Sequence, residues 1–417
     1  MAASNPTPAF TQKTILKYQP FRTLWLAQFV SIFGDFLALF GVISLITFRL
    51  NGNAVQVTAV TIAYVLPLAV ISPFAGVFVD HWNVKRVMVS SDLIRAALIL
   101  LLVFVTDIAQ ICLIFAVMST VSSFFTPAQS VTIRTIVPQE GLLAANTMMS
   151  QAFYLVRLLS PFAAGALIAW LHEKPCFYLD AASFIFSAGM ITSLTIPQVR
   201  THSEKTVASL TEDFLAGNKF IFTHAGLTFV FLSMGVAMFV LSSFSPLISI
   251  YIRDSLNAGP FIFGFISSMV GIGLIAGAQL LGRVHQKITR TNVVLSGLFA
   301  LGIGAALLGG FHNIPMAAAS TFMMGFAISF VLIPAQTMSQ QETPPALMGR
   351  VSSTFMSLIA LSQVLGLLLS GYLAERLGIR PLFLTSAAFV AIIACAGYVF
   401  MRGRGESRPT AAAQANS

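Results

Sequence analysis

Twelve long apolar stretches follow one another along this chain, each bounded by glycine, proline or charged residues. A helix needs about 20 apolar residues to cross a bilayer, and the stretches are close to that length. Charged residues make up only 9% of the 417 residues, whereas soluble domains carry roughly a quarter. We therefore predict an all-α membrane protein with twelve transmembrane helices, at residues 21–48, 58–79, 87–105, 110–125, 145–171, 176–196, 227–251, 260–281, 293–311, 315–334, 351–373 and 381–401.

The basic residues between the stretches predict the orientation. If the N-terminus is cytoplasmic, the segments on that side hold about three times as many Lys and Arg residues as the outer segments, an excess typical of cytoplasmic loops. We therefore predict a multi-pass protein of the inner (plasma) membrane with both termini cytoplasmic. The net charge of +9 follows from this bias, so no nucleic-acid partner is expected. The expected partners are a small-molecule substrate, protons and membrane lipid, and a monomer is expected.

The chain divides into two halves that resemble each other. The triplet Pro-Ala-Gln at 127–129 recurs at 334–336, and the pair Leu-Asn at 50–51 recurs at 256–257. Matches at nearly one offset argue for a duplicated six-span unit, which is typical of two-bundle transporters. The predicted organisation is a cytoplasmic tail at 1–20, an N-terminal six-helix bundle at 21–197, a cytoplasmic linker at 198–224, a C-terminal six-helix bundle at 225–401 and a cytoplasmic tail at 402–417.

Ionisable residues inside the predicted spans are functional candidates, because charge within a bilayer is costly. Asp35 lies near the middle of the first span, about 20 Å of helical rise from its start, and Arg157 lies near the middle of the fifth. Asp92 and Arg95 lie one turn apart in the third span, where we expect a gate network more than a substrate site. Asp180, near the outer end of the sixth span, is interpreted either as a helix anchor or as a substrate contact. Neutral polar residues at plausible depth are candidates for the cavity wall: Gln28, Tyr64, Gln151, Tyr154, Gln336 and Gln363.

A short charged hinge, GVFVDHWNVKR at 76–86, separates the second and third stretches. It resembles the loop motif G-x-x-x-D-R-x-G-x-R-R of the major facilitator superfamily through Gly76, Asp80, Lys85 and Arg86, with His and Asn at two positions where that family favours Arg or Lys and Gly. Further stretches resemble its drug:proton antiporter branch, which includes macrolide efflux proteins and the enterobactin exporter: Phe33-Gly34-Asp35, Arg157 with Ser160-Pro161 and Gly165, Leu179 to Phe184, and Thr343-Pro344 with Gly349-Arg350.

The resemblance implies the superfamily's fold, two pseudo-symmetric six-helix bundles, and places the first and fifth helices at one central cavity. Asp35 and Arg157 could therefore meet, either as a proton-coupling pair or as a fixed ion pair. It also implies a cytoplasmic gate, in which Asp80 contacts the start of the eleventh helix near Gly349 and Arg350, while Arg86 reaches Asp92 or a neighbouring carboxylate.

The function implied is proton-coupled export of an amphipathic or apolar small molecule by alternating access. Alternatives are an exporter or facilitator of siderophores, lysolipids or metal ions, and a transporter-like sensor that moves nothing. Neither a Walker loop nor an H-E-x-x-H motif occurs in the sequence, so neither an enzyme nor a cofactor or resident metal is expected.

Overall fold

The computed structural model describes residues 12–79, 81–197, 218–284, 288–344 and 347–402. Within these ranges the chain forms twelve long α-helices and no strand. The helices are α1 Gln19–Ser44, α2 Ala54–Val79, α3 Val84–Leu101, α4 Ile108–Ile136, α5 Leu142–Leu171, α6 Lys174–Thr192, α7 Ala225–Phe244, α8 Pro260–Val284, α9 Arg290–Gly310, α10 Ile314–Glu342, α11 Met348–Leu377 and α12 Ile379–Arg402.

Eleven of the twelve helices are long and apolar enough to cross a membrane. The other helix, α3, is 18 residues long and carries Lys85, Arg86, Asp92 and Arg95. It packs against α4 and α6, and both Asp92 and Arg95 are buried there. Asp92 and Arg95 are therefore sheltered by protein rather than exposed to lipid, as polar residues inside membranes usually are, whereas Lys85 and Arg86 lie in the first turn of the helix.

Prolines inside two helices correct the predicted ends of the fourth and tenth spans. Those spans were expected to stop at residues 125 and 334, but α4 continues to Ile136 and α10 to Glu342. Pro127 and Pro334 lie inside these helices. Proline is tolerated in membrane helices because neighbouring helices and Ser or Thr side chains satisfy the backbone groups that it frees. The recurring Pro-Ala-Gln triplet therefore lies at equivalent points inside α4 and α10.

The internal duplication is also visible in the turn that follows the first helix of each half. A π-helix, Leu45–Arg49, extends α1, and a short helix, Leu247–Asp254, follows α7. Asn51 and Asn257 then adopt left-handed backbone angles, with φ of 50° and 48°. Gly52 N donates to Ile46 O, and Ala258 N makes the equivalent bond to Ile252 O. Asn tolerates this conformation better than most residues, which explains why Leu-Asn recurs at these two places.

The helices form two bundles, α1 to α6 and α7 to α12. Within the first, α1 packs on α5 and α6, and α2 packs on α4; within the second, α8 and α9 pack on α10, and α7 packs on α11. Two main contacts join the bundles, α5 with α8 and α2 with α11. The duplication relates these two contacts to each other, because α2 in the first bundle corresponds to α8 in the second, and α5 corresponds to α11.

The contacts between the bundles lie towards the face that carries the α1–α2 and α7–α8 loops, which we call the loop face. A Cβ added to Gly264 would lie 2.3 Å from the Pro161 carbonyl oxygen, and a Cβ added to Gly371 would lie 2.1 Å from Thr58 Oγ1. A Cβ on Gly271 would lie 2.9 Å from a methyl group of Leu158. Gly271 is about 16 Å of helical rise from the start of α8, and its contact with Leu158 is the deepest of these three.

Hydrogen bonds between the bundles also lie at the loop face. Thr47 Oγ1 and Ser249 Oγ are 2.9 Å apart, and Asn53 Nδ2 donates to Glu375 Oε1 at 3.1 Å. Arg253 Nη1 donates to the carbonyl oxygens of Thr47 and Gly52, at 2.7 and 2.9 Å. The sequence motifs predict none of these contacts.

The predicted linker at 198–224 lies largely outside the described residues. The part of it that is described, 218–223, is helical. The boundaries of the linker and of the two tails stay predictions.

Candidate functional site

A cluster of charged side chains lies inside the first bundle, where α1, α3 and α6 meet. On α3, Arg95 Nη2 donates a short hydrogen bond to Asp92 Oδ1, one turn earlier. Arg95 Nη1 is 3.7 Å from Asp35 Oδ2 on α1. The side chains of Asp92 and Arg95 are 0% and 5% exposed, whereas that of Asp35 is 20% exposed. A single guanidinium thus joins two carboxylates, of which only that of Asp35 is substantially open to its surroundings.

Aromatic rings hold the guanidinium of Arg95 in place. Its central carbon lies 4.7 Å from the ring centroid of Phe125 on α4 and 4.3 Å from that of Phe184 on α6. Contacts of this kind between a cation and an aromatic face are attractive, more so when water is excluded. Arg95 is therefore fixed by four helices.

Asp180 on α6 completes the cluster. It is fully buried, accepts a hydrogen bond from Ser183 Oγ at 3.3 Å, and lies within electrostatic range of Asp35 and Arg95. Its Oδ2 has no hydrogen-bond partner in the described structure. Gly34 lies directly against this site, since a Cβ there would be 2.6 Å from Asp180 Oδ1 and 2.3 Å from Ser183 Oγ. Of the two interpretations of Asp180, the geometry favours an anchor between α6 and α1.

The cluster holds an excess of acid. Asp35, Asp92 and Asp180 would carry three negative charges against the one positive charge of Arg95, a net charge of −2 if all were ionised. Unbalanced charge is costly where water is excluded. The arrangement is therefore chemically suited to holding and releasing protons at a carboxyl group. In the described residues, no group of three or more His, Cys, Asp or Glu side chains could hold a metal ion.

The expected pair of Asp35 with Arg157 is wrong in this structure, because Asp35 pairs with Arg95 instead. The expected contact of Arg86 with Asp92 is not made in this structure either, while the role of the hinge in a gate stays a prediction. Asp92 is buried against Arg95, whereas Arg86 lies exposed in the first turn of α3, two turns away. The reason in both cases is that α3 turns Arg95 into the bundle, within reach of α1.

Arg157 lies at the midpoint of α5, 15 residues after Leu142 and 14 before Leu171, and its side chain is exposed. Two other predicted wall residues, Gln151 and Tyr154, are exposed on the same helix. They continue the face that carries Leu158, Pro161 and Gly165, which contacts α8 nearer the loop face. This face of α5 is thus covered near the loop face and open in the other half of the helix.

The remaining wall candidates differ in exposure. Gln28 is 4% exposed, and its Nε2 lacks a hydrogen-bond partner among the described residues. It therefore does not line an open wall in this structure, contrary to expectation. Tyr64 is half-buried, with its ring centroid 5.9 Å from that of Phe115 on α4. Gln336 on α10 and Gln363 on α11 are half-buried.

The charged hinge makes contacts within the first bundle. Asn83 Oδ1 accepts a hydrogen bond from the backbone N of Arg86 at 3.0 Å and so caps α3. Lys85 Nζ donates to the carbonyl oxygen of Leu194 at 2.8 Å, just beyond the end of α6. A cation is favourable there, because the free carbonyl groups at a helix C-terminus carry partial negative charge. Gly76 has no atom within 4 Å of where a Cβ would lie.

The other half of the predicted gate is only partly described. Asp80 lies outside the described residues, so its proposed contact with α11 stays a prediction. Gly349 and Arg350 lie in the first turn of α11, at the end of the helix opposite the loop face.

Comparison with known proteins gives consistent results. The profile of the transmembrane secretion effector family matches residues 11–415. The chain is 29% identical over 381 residues to the uncharacterized MFS-type transporter YfiS of Bacillus subtilis, covering 89% of this chain and 90% of that protein. It is 23% identical over 384 residues to macrolide efflux protein A of Streptococcus pyogenes, covering 90% and 94%.

Among solved structures, the nucleoside transporter NupG superposes with a TM-score of 0.75 at 15% identity, covering 92% of this chain and 99% of that one. At this identity the likeness concerns the fold alone. The family match covers nearly the whole chain, and the two bundles have the architecture that the resemblance implied. The chain therefore belongs to the transmembrane secretion effector family, and it is a membrane transporter of the major facilitator type.

Proposed function

We propose that this chain exports an amphipathic or apolar small molecule across the plasma membrane in exchange for protons, with Asp35 as the proton carrier. The observation that carries the proposal is the difference in exposure among the three acids of the cluster. Asp92 and Asp180 are sealed inside the first bundle, whereas Asp35 is 20% exposed and still contacts Arg95. Asp35 can therefore exchange a proton with water and pass the effect to α3.

The coupling step follows from the contacts of Arg95. When a proton binds the Asp35 carboxylate, that group becomes neutral and loses most of its attraction for Arg95 Nη1, 3.7 Å away. Arg95 keeps its bond to Asp92 on the same helix. Protonation would thus loosen α1 from α3 without leaving the guanidinium unpaired, and deprotonation would restore the contact.

Alternating access needs a structure closed at one face and open at the other. The described contacts between the bundles lie towards the loop face, and the α5 face that contacts α8 there is open in its other half. The excess of basic residues in the segments of the opposite face supports placing the loop face outside. We infer that this state opens to the cytoplasm and that rocking of the bundles exposes the site to the outside. The name of macrolide efflux protein A supports the direction of transport and the choice of first substrates.

The test is Asp35→Asn in proteoliposomes, with efflux of a macrolide and of anionic, cationic and neutral dyes measured with and without a pH gradient. Asn cannot carry the proton, so we expect transport driven by the gradient to be lost while substrate counterflow, which needs no net proton movement, continues. Full gradient-driven transport in this variant would sink the proposal.

The matched control is Asp107→Asn. Asp107 caps α4 by accepting a hydrogen bond from the backbone N of Ala109, and Asn caps helices equally well. This control makes the same chemical change at the end of a helix, so gradient-driven transport should persist. Loss of counterflow in the Asp35 variant would instead indicate that the Asp35–Arg95 contact holds the fold, which would also count against the proposal.

A further inference from the structure

Two arginines lie deep in the helices of the first bundle, and the structure treats them differently. Arg95 is buried and bound by Asp92 and Asp35. Arg157 is exposed at the midpoint of α5, about 21 Å of helical rise from either end. In the described part of the chain it has no ion pair and no hydrogen bond. Since a guanidinium stays protonated at any physiological pH, Arg157 is a permanent and uncompensated positive charge.

The direction of Arg157 follows from its neighbours on α5. Leu158, the next residue, belongs to the face that contacts α8. Phe153, one turn earlier on the side of Arg157, lies against Phe36 on α1, with ring centroids 6.0 Å apart. The side chain of Arg157 therefore points between α1 and α8, at the level where the bundles begin to separate. This places the guanidinium in the opening between the bundles rather than among lipid tails.

No described carboxylate is available to neutralise Arg157. The three acids in the middle of the first bundle belong to the Arg95 cluster. The other described acids lie at or near helix ends: Asp107, Glu140, Glu173, Asp254, Glu342 and Glu375. A lone charge at this depth is costly, and an anion entering the opening would remove that cost.

We propose that Arg157 binds the anionic head group of the transported molecule, so that the substrates are amphipathic anions bearing a sulfonate, phosphate or carboxylate group. The planar guanidinium presents paired N–H donors that match such groups. Tyr154 and Gln151, exposed one and two turns away, offer a hydroxyl and an amide beside it. The apolar surface around Phe153 would receive the tail. This inference rests on the proposed function, because it assumes that substrate passes between the bundles.

The test uses three fluorescent probes that share one dansyl-labelled undecyl chain and end in a sulfonate, an uncharged amide or a trimethylammonium group. Their binding to the purified full-length protein is measured by dansyl fluorescence in nanodiscs of phosphatidylcholine. We expect wild type to bind the sulfonate about tenfold more tightly than the amide, the size of a charge-assisted hydrogen bond, and to bind the ammonium most weakly. The sulfonate stays ionised, so this preference should not change between acidic and basic pH.

Arg157→Gln should remove the preference by weakening the sulfonate alone, to about the affinity of the amide. Arg157→Lys keeps the charge without the planar donors. Its affinity for the sulfonate should lie between those of wild type and Arg157→Gln. Arg283→Gln is the matched control, because it removes an exposed arginine at the far end of α8, and it should leave all three affinities unchanged. The proposal would be overturned if wild type bound the sulfonate and the amide with equal affinity, or if it did not bind the sulfonate at all. Equal weakening of all three probes in Arg157→Gln would also overturn it.

This experiment is separate from the test of proton coupling. It uses no pH gradient and no transport, and an Asp35→Asn protein should keep the preference for the sulfonate. If the protein prefers anions but its transport does not depend on a pH gradient, the proposed role of Arg157 stands and the proposed role of Asp35 is wrong.

Discussion

Gly34 and Asp35 are neighbours on α1, but their roles are different. Gly34 has no side chain because Asp180 and Ser183 of α6 occupy the space where one would lie. Asp35 reaches across to Arg95 on α3. Gly34 therefore sets how closely α1 and α6 approach. Asp35 contributes a charge, which this close approach brings into the cluster.

Gly34→Ala should destabilise the protein by about 1–3 kcal/mol, the usual cost of forcing extra atoms into a packed interior. The added Cβ would lie 2.3 Å from Ser183 Oγ and 2.6 Å from Asp180 Oδ1, and neither helix can yield without moving the cluster. The measurement is thermal unfolding of the purified protein in detergent.

The control for this prediction is Gly189→Ala on α6, where no atom lies within 4 Å of the added Cβ. Because Ala favours helix more than Gly does, this variant should be as stable as wild type or slightly more so. Equal stability of the two variants would contradict the packing role of Gly34.

Asp35, Asp92, Arg95 and Arg157 could all be selected from the sequence, because each lies inside an apolar stretch where charge is costly. The pair of Asp92 with Arg95 also follows from their spacing of one turn, but the partner of Asp35 could not be predicted. Position along a helix gives the depth of a residue, but the direction of its side chain depends on how the helix is rotated against its neighbours. A single sequence does not contain that rotation, so the partner of Asp35 was assigned to the wrong arginine.

At the scale of elements, the contact of α5 with α8 depends on glycine. Gly165 and Gly264 lie backbone to backbone, and a Cβ on Gly264 would meet the carbonyl oxygen of Pro161 and the Cα of Gly165. Small residues allow membrane helices to approach this closely. Since the contact lies near the loop face, it helps to keep that face closed.

Gly264→Ala should shift the protein towards the state that is open at the loop face, because backbone atoms 2.3 and 2.8 Å from the new Cβ can be relieved only by separating the helices. The measurement is the rate at which a membrane-impermeant maleimide labels Thr58→Cys, in a protein whose three native cysteines are replaced by serine. Thr58 is buried beside Gly371 in the other contact between the bundles.

Labelling should be faster in the Gly264→Ala background than in the parent. Gly282→Ala, on the same helix but with no atom within 4 Å of the added Cβ, should leave the rate unchanged. An unchanged rate in Gly264→Ala would show that the α5–α8 contact does not control closure.

The sequence predicted the number and order of the helices, because apolar length is a direct requirement of the bilayer. It does not predict the ends of α4 and α10, because each of these helices continues past a proline. Inside a membrane, helix packing outweighs the local preference of proline. The helix α3 falls outside the group apolar enough to cross a membrane for another reason, because it carries four charged residues, two of which pair with each other inside the bundle.

At the scale of the whole molecule, Arg253 joins the two bundles. It lies in the short helix after α7 and donates to two carbonyl oxygens in the turn after α1. This turn is one of the two duplicated copies, so the contact joins equivalent parts of the two halves. The sequence indicated the duplication but not that its copies touch.

Arg253→Gln should weaken closure at the loop face by about 1 kcal/mol, roughly fivefold in population, after allowing for solvent around a side chain that is 22% exposed. The measurement is the distance between spin labels at Thr106→Cys and His312→Cys, exposed positions in equivalent loops of the two halves. A longer-distance component should appear or grow.

Arg376→Gln is the matched control, because Arg376 lies near the same face but stacks on Tyr372 of its own helix, 4.6 Å from the ring centroid. It should leave the distances unchanged. Identical distances in wild type and Arg253→Gln would rule out the role of Arg253 as a contact that holds the bundles together.

The uneven distribution of charge between the halves has one more consequence. In the described residues, the ionisable groups in the middle of the helices, Asp35, Asp92, Arg95, Arg157 and Asp180, belong to the first bundle, while the acids and bases of the second lie near helix ends. A membrane voltage acts only on charge that lies within the field. The electrical work of a transport cycle would therefore be done on the first bundle, with the second serving as an insulating wall against which it moves.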